Sequence, residues 1–306
     1  MPGSSPTSQK TGGCFTGRWI VALAGLCAVC APAQAQGNGP KPFPNAATAG
    51  VPPGWQPRDT RESDVVVSQP GAVVEDLRIV DGNLLVDAEN VTVRRVELLG
   101  GRIVNDPANA CRNGLTVEDT SILPSRDKAK ASEYPAITTG GYTARRVRID
   151  GVAEGFRVGG VSHGCGPVTI EDSFVRVVSP EPCGDWHGDG IQGYDGPPLT
   201  VHNVTLHLDE RPGCGGTAPF FYPDKQGNTS ARIDGLLVQG GGYLFRLGVP
   251  ASVRGLSIVA QSWGYGPIDV KCSAVGSWEA EIVTAGADYQ PKAILRRQRC
   301  DTEAGN

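Results

Sequence analysis

One phrase recurs through most of the chain: apolar-x-x-apolar-x-apolar. It reads Val74-Leu77-Ile79, Val93-Val96-Leu98, Val117-Thr120-Ile122 and Ala144-Val147-Ile149 in the first half. It continues as Ile170-Ser173-Val175, Val201-Val204-Leu206, Ile233-Leu236-Val238 and Val253-Leu256-Ile258. Successive copies begin 19 to 32 residues apart. Several carry a two-residue polar insert: Arg94-Arg95, Glu118-Asp119, Arg145-Arg146, Glu171-Asp172. Further short apolar stretches follow the copies, centred on Ile103, Ile137, Phe156, Ile191, Phe221, Phe245 and Ile268.

Short β-branched runs at this period, without helical periodicity, predict a solenoid. Two or three strands per turn, with glycine at the corners, make it an all-β, right-handed parallel β-helix of about eight coils. A β-sandwich with evenly spaced strands is the alternative. Its strands would be joined by tight hairpins, and no Asn-Gly or Asp-Gly turn links a matched pair here.

Composition agrees. Glycine (42) and proline (24) exceed a fifth of the 306 residues, and one Met is present, which suits a turn-rich β protein. The N-terminus reads as an export signal over residues 1–35. Lys10 and Arg18 supply its positive region, Trp19 to Ala31 an apolar core, and Ala33-Gln34-Ala35 the cleavage site. Removal takes two positive charges and no acid, so the net charge moves from −4 to −6. Cys27 and Cys30 lack a lipobox, so no membrane anchor is expected. A Pro/Gly-rich entry segment spans 36–61, covering the first coil. The β-helix domain spans 62–306, with Trp278 to Cys300 covering the last coil.

Six of the nine cysteines remain after cleavage, an even number without C-x-x-C spacing, so disulfides are expected rather than zinc. Fifteen pairings are possible. The sequential one is Cys111–Cys165, Cys183–Cys214 and Cys272–Cys300. The destination is secreted or periplasmic. The mild charge, with no basic stripe interleaved with aromatics, argues against nucleic acid, and the chain reads as a monomer.

The repeat, the Gly-rich corners and His187-x-Asp189-Gly190-Ile191-Gln192 resemble the secreted bacterial branch of the pectate-lyase-like superfamily over roughly residues 43–300. The lead-in from Phe43-Pro44-Asn45-Ala46 to Val51-Pro52-Pro53-Gly54 is similar to theirs as well. The resemblance implies a parallel β-helix that acts on, or binds, acidic or neutral polysaccharides. Two features of its members are missing. There is no Asp-Asp pair followed by Gly-His-Gly, and no calcium-binding acid cluster followed by arginine. Residue roles therefore do not transfer.

Placing Ile103, Ile137, Phe156, Ile191, Phe221, Phe245 and Ile268 inward leaves an outward column of Val104, Thr138, Arg157, Gln192, Tyr222, Arg246 and Asp269. The column is polar from Arg157 onward, and rungs about 4.8 Å apart let several side chains line one groove. His163, Asp185, His187, Asp189, Asp224 and Lys225 lie on adjoining loops. A lyase acting on a uronic-acid glycan by β-elimination would use Arg157 and Arg246 to hold the carboxylate. It would use His187 or Lys225 as base, oriented in the first case by Asp189, with Tyr222 as proton donor. Gln192, Trp263 and Tyr265 complete the substrate contacts.

A hydrolase would instead pair Asp189 with Asp185 or Asp224, and a glycan binder would need no chemistry. No cofactor is required; calcium from Asp185, His187 and Asp189 falls short of its oxygen ligands. Plainer roles compete. Asp189 can cap a turn, Gln192 can join an amide ladder, and His187 can be a hydrogen-bonded corner residue. The alternating Arg-Arg and Glu-Asp inserts read as cross-coil charge pairs.

Overall fold

The structure is a computed structural model, and it describes residues 41–107, 109–127 and 134–301. The export signal expected at 1–35 lies outside the described residues. Within them there is no α-helix; three single-turn 3₁₀ segments occur at Val161–His163, Asp224–Gln226 and Cys272–Ala274.

The chain alternates between two sheets, one of 14 strands and one of nine. Going along the chain, strand Val73–Val80 of the long sheet is followed by Leu84–Val86 of the short sheet, then Thr92–Leu99 and Ile103–Val104. Each pairs in parallel with its equivalent one rung later: Val74 with Val93, Leu84 with Ile103. The pattern persists through Ala251–Val259 and Gly266–Val270. Parallel pairing needs a crossover between partners, and here the other sheet supplies it.

The apolar phrase is the lining of the space between the sheets. Ile79, Leu98, Ile122, Ile149, Val175, Leu206, Val238 and Ile258 come from the long sheet, and all are buried. Opposite them stand Leu84, Ile103, Ile137, Phe156, Ile191, Phe220 and Phe245 in matched register. Phe220 and Phe245 stack 4.6 Å apart, continuing the column with aromatic area.

The polar insert proves to be a corner. Its second residue takes φ near +50° in successive rungs at Asp76, Arg95, Asp119, Arg146, Asp172 and Asn203, then φ of 78° at Gly235 and 61° at Gly255. One left-handed residue bends each strand of the long sheet at the same register, a conformation costing side-chain-bearing residues about 1–2 kcal/mol apiece. Cross-rung bonds hold it. Arg95 reaches Asp76 at 2.7 Å, Arg146 reaches Asp119 at 2.6 Å, and Asn203 donates to Asp172 at 2.8 Å. The flanking insert residues pair likewise: Arg94 with Glu75, and Arg145 with both Glu118 and Glu171.

The ends differ from a simple pair of caps. Asp59–Arg61 does pair along the first rung, and Trp55 donates to Asp76. The part of the entry segment before it, however, runs along the corner column of the long sheet. There Gly50 N–H donates to Arg146 and Lys41 meets Asp172 at 2.6 Å. It meets the C-terminal hairpin, where Gln290 exchanges two hydrogen bonds with the Phe43 backbone. Tyr289 of that hairpin covers Phe174 and bonds His207, which is half-buried. The disulfides are Cys111–Cys165, Cys183–Cys214 and Cys272–Cys300, the sequential pairing.

Candidate functional site

The terminal segments cross the long sheet, and the predicted groove lies on the short one. Its outward row is observed as Arg157, Gln192, Phe221, Arg246 and Asp269 in direct register. Four rungs separate the ends, about 19 Å. One member differs from expectation. Phe221 takes the outward place and Tyr222 points in, fully buried, with its hydroxyl donating to the Pro197 carbonyl. Burial raises the pKa of that hydroxyl. Tyr222 is therefore a core residue and no proton donor to a ligand. The period-2 alternation was read one residue out of phase in Pro219-Phe220-Phe221-Tyr222, where three consecutive aromatics hide the inward one.

Around Arg246 the side chains converge. A cavity of about 360 Å³ is lined by Phe221, Asp224, Lys225, Arg246, Asp269 and Lys271, among others. Arg246 binds Asp269 through Nε and Nη2 at 2.9 Å and lies 4.9 Å over the Phe221 ring. Lys271 holds Asp224 at 3.1 Å, which keeps that carboxyl below its ordinary range. Lys225 makes no ion pair among the described residues. Arg246 and Lys271 each meet a carboxylate, so Lys225 is the basic side chain of the cavity lining without a carboxylate partner among the described residues.

Beside Arg246 stand two further aromatics. Tyr243 lies 5.7 Å from its guanidinium and 5.8 Å from Tyr265, which is 81% exposed. Tyr265 is where a ring-stacking residue was expected. Trp263 is half-buried against the core, so packing occupies it.

Asp189 belongs to a different cluster. It is fully buried; Oδ1 accepts from Ala218 N–H at 3.0 Å and Oδ2 from Gln192 at 2.6 Å. Burial pushes its pKa well up, reinforced by the charge of Glu154, while its two hydrogen-bond donors and Arg157 oppose the shift. Glu154 is buried too and likewise raised by desolvation, against the pull of Arg157, whose Nη2 reaches it at 2.8 Å. Glu154 was missed by the sequence reading. The signal was present: Glu154-Gly155-Phe156-Arg157 aligns rung for rung with Asp189-Gly190-Ile191-Gln192.

His187 stands apart from this carboxyl. Its Nε2 faces Asp185 at 3.2 Å, and the two side chains are 70% and 98% exposed. Asp189 bonds Gln192 and Ala218 and so does not orient His187. The proposed hydrolase pairs separate as well: Asp185 lies on that exposed loop, and Asp224 is engaged by Lys271. Among the described residues no three His, Cys, Asp or Glu side chains are grouped to hold a metal.

A second hollow, about 290 Å³, is lined largely by apolar atoms between Arg102, Leu123, Pro124, Tyr134, Val152 and Pro180, and contains none of the expected residues. Comparison of the chain with family models, with curated proteins and with solved structures finds no match. Its class rests on its own geometry: an all-β protein with two parallel sheets and three disulfides. Among the described residues, no helix is long and apolar enough to cross a membrane.

Proposed function

We propose that this is a right-handed parallel β-helix of about eight coils, pectate-lyase-like in kind, that cleaves a uronic-acid glycan by β-elimination outside the cytoplasm. Right-handed crossovers are the norm for parallel strands joined this way. Disulfides suit an oxidising compartment.

The observation that carries the reading is the cavity shared by Lys225 and Arg246. In the reaction, Lys225 is the side chain that takes the proton from the carbon beside the uronate carboxyl. The electron pair of the broken carbon–hydrogen bond forms the carbon–carbon double bond as the bond to the leaving oxygen breaks, and solvent protonates that oxygen. Arg246 keeps Nη1 for the carboxylate, whose charge grows as the enolate-like intermediate develops. Tyr243 and Tyr265 offer apolar faces to neighbouring sugars, and Arg157 and Gln192 extend the row. His187, Asp189 and Tyr222 leave the catalytic set.

Incubation with a panel of uronate polymers, following the ultraviolet absorbance of the unsaturated product, tests this. Turnover by the native protein that Lys225→Ala abolishes is expected; flat traces on every uronate overturn it. The second reading is a non-catalytic glycan binder, favoured by Arg246 and Lys271 already holding carboxylates. Gel retardation by a uronate polymer without any new product assigns that role.

A further inference from the structure

The second hollow lies where the chain turns from the long sheet to the short one, and it shares no residue with the groove. One wall consists of Leu123, Val152 and Val178, the last residues of three neighbouring long-sheet strands, Ser121–Leu123, Arg148–Val152 and Phe174–Val178. All three are apolar and half-buried. Pro124 and Pro180 extend this wall past two of the strand ends. Ala136 and Ala153 lead into the short sheet with side chains too small to fill the space. At about 290 Å³ it sits at the lower end of small-ligand pockets, which run from about 300 to 1,000 Å³.

Most polar side chains around the hollow are already engaged by the protein. Ser125 donates to Asp81 at 2.6 Å, and Ser179 to the Cys214 carbonyl at 3.3 Å. Arg211 holds Glu181 at 2.9 Å and the Ser179 carbonyl at 2.6 Å. Arg102 is different. Its guanidinium lies 4.4 Å over the Tyr134 ring and makes no hydrogen bond or ion pair among the described residues. The buried Glu154 feels the charge of Arg102 but bonds Arg157 instead, at 2.8 Å. A guanidinium stacked by its face keeps its N–H groups in the plane, where they take a carboxylate in two parallel bonds.

Apolar walls and one unused planar cation define the occupant. Covering the walls is favourable in proportion to the apolar area removed from water. A sugar acid would set hydroxyls against walls that offer them no partner. A flexible aliphatic acid would lose rotamer freedom in filling the same space, whereas a planar ring system would not.

We infer that this hollow binds a compact aromatic carboxylate, its ring system on the apolar wall and its carboxylate on Arg102. The inference stands or falls independently of the glycan reading.

The probe is naphthoate, titrated by calorimetry against the disulfide-bonded protein, with naphthamide, octanoate and glucuronate as comparisons. Expected are saturable binding of naphthoate, naphthamide about tenfold weaker for want of charge-assisted bonds, octanoate weaker than naphthoate, and no binding of glucuronate. Arg102→Met should lower naphthoate to the level of naphthamide, and Val178→Phe, which fills the hollow, should abolish both. Thermal melts show whether each variant is folded. Arg102 makes no side-chain bond that holds the fold, so its variant carries the test by itself if Val178→Phe is unfolded. No saturable binding, equal affinity for naphthamide, or naphthoate binding that a folded variant leaves unchanged overturns the inference. Tighter binding of octanoate assigns the hollow to aliphatic acids and overturns it. Displacement of naphthoate by a uronate oligomer places the probe in the groove and overturns it equally.

Discussion

Tyr222→Phe separates a core residue from a groove residue with the loss of one oxygen atom. The Tyr222 ring is fully enclosed, so the variant loses no apolar burial. What disappears is the donor to Pro197, whose carbonyl is left inside without its partner. An orphaned buried acceptor costs about 1–3 kcal/mol. Unfolding entropy near 2.1 cal/mol/K per residue over about 260 folded residues gives roughly 0.55 kcal/mol/K, so Tm should fall by about 2–5 °C. Calorimetric melts measure this, and product formation or glycan retardation is followed on the same samples below the transition. The expected result is a lowered Tm with unaltered turnover or binding. Lost activity at an unchanged Tm would return Tyr222 to the groove and refute the inward register.

Further expectations follow from the same geometry. Lys225→Ala should lower elimination by about 10²–10⁴-fold without moving Tm, whereas His187→Ala should leave product formation unchanged; the reverse pattern moves the base to the exposed loop. Asp189 has its pKa raised by burial and by Glu154. The unfolded chain therefore releases that proton first, near pH 3.9, and stability declines as pH rises from there toward the folded pKa. Asp189→Asn should remove that decline, so the difference in urea midpoint between variant and native protein should grow with pH above about 4; a constant difference rejects it. Removing Cys111–Cys165, which links positions 54 apart, should cost up to about 4 kcal/mol by loop-closure entropy, read from urea midpoints of the double Cys→Ala variant.

The long sheet was legible in the chain because its chemistry is local. A strand buried on one face must alternate, and each rung solves the same problem as the last, so the apolar phrase repeats. The sequential disulfides follow from the same one-dimensional order, since successive rungs are neighbours in space. Even the polar inserts announced themselves, although only the backbone identified them as left-handed corners.

The candidate site was legible in part, and for a different reason in each case. Arg157, Gln192 and Arg246 keep outward places that alternation alone predicts. Phe221 and Tyr222 exchanged places because three aromatics in a row carry no alternation to read. His187 and Asp189, two residues apart, look like partners on paper. A tight corner sends one into solvent and the other into the interior, where Glu154 from the preceding rung is its neighbour. The sequence by itself determined an all-β chain of repeated rungs and most of the outward row, both properties of one rung repeated. Which charges meet across rungs and which carboxyl is buried were decided only by stacking, because those energies belong to pairs of residues brought together by the coil.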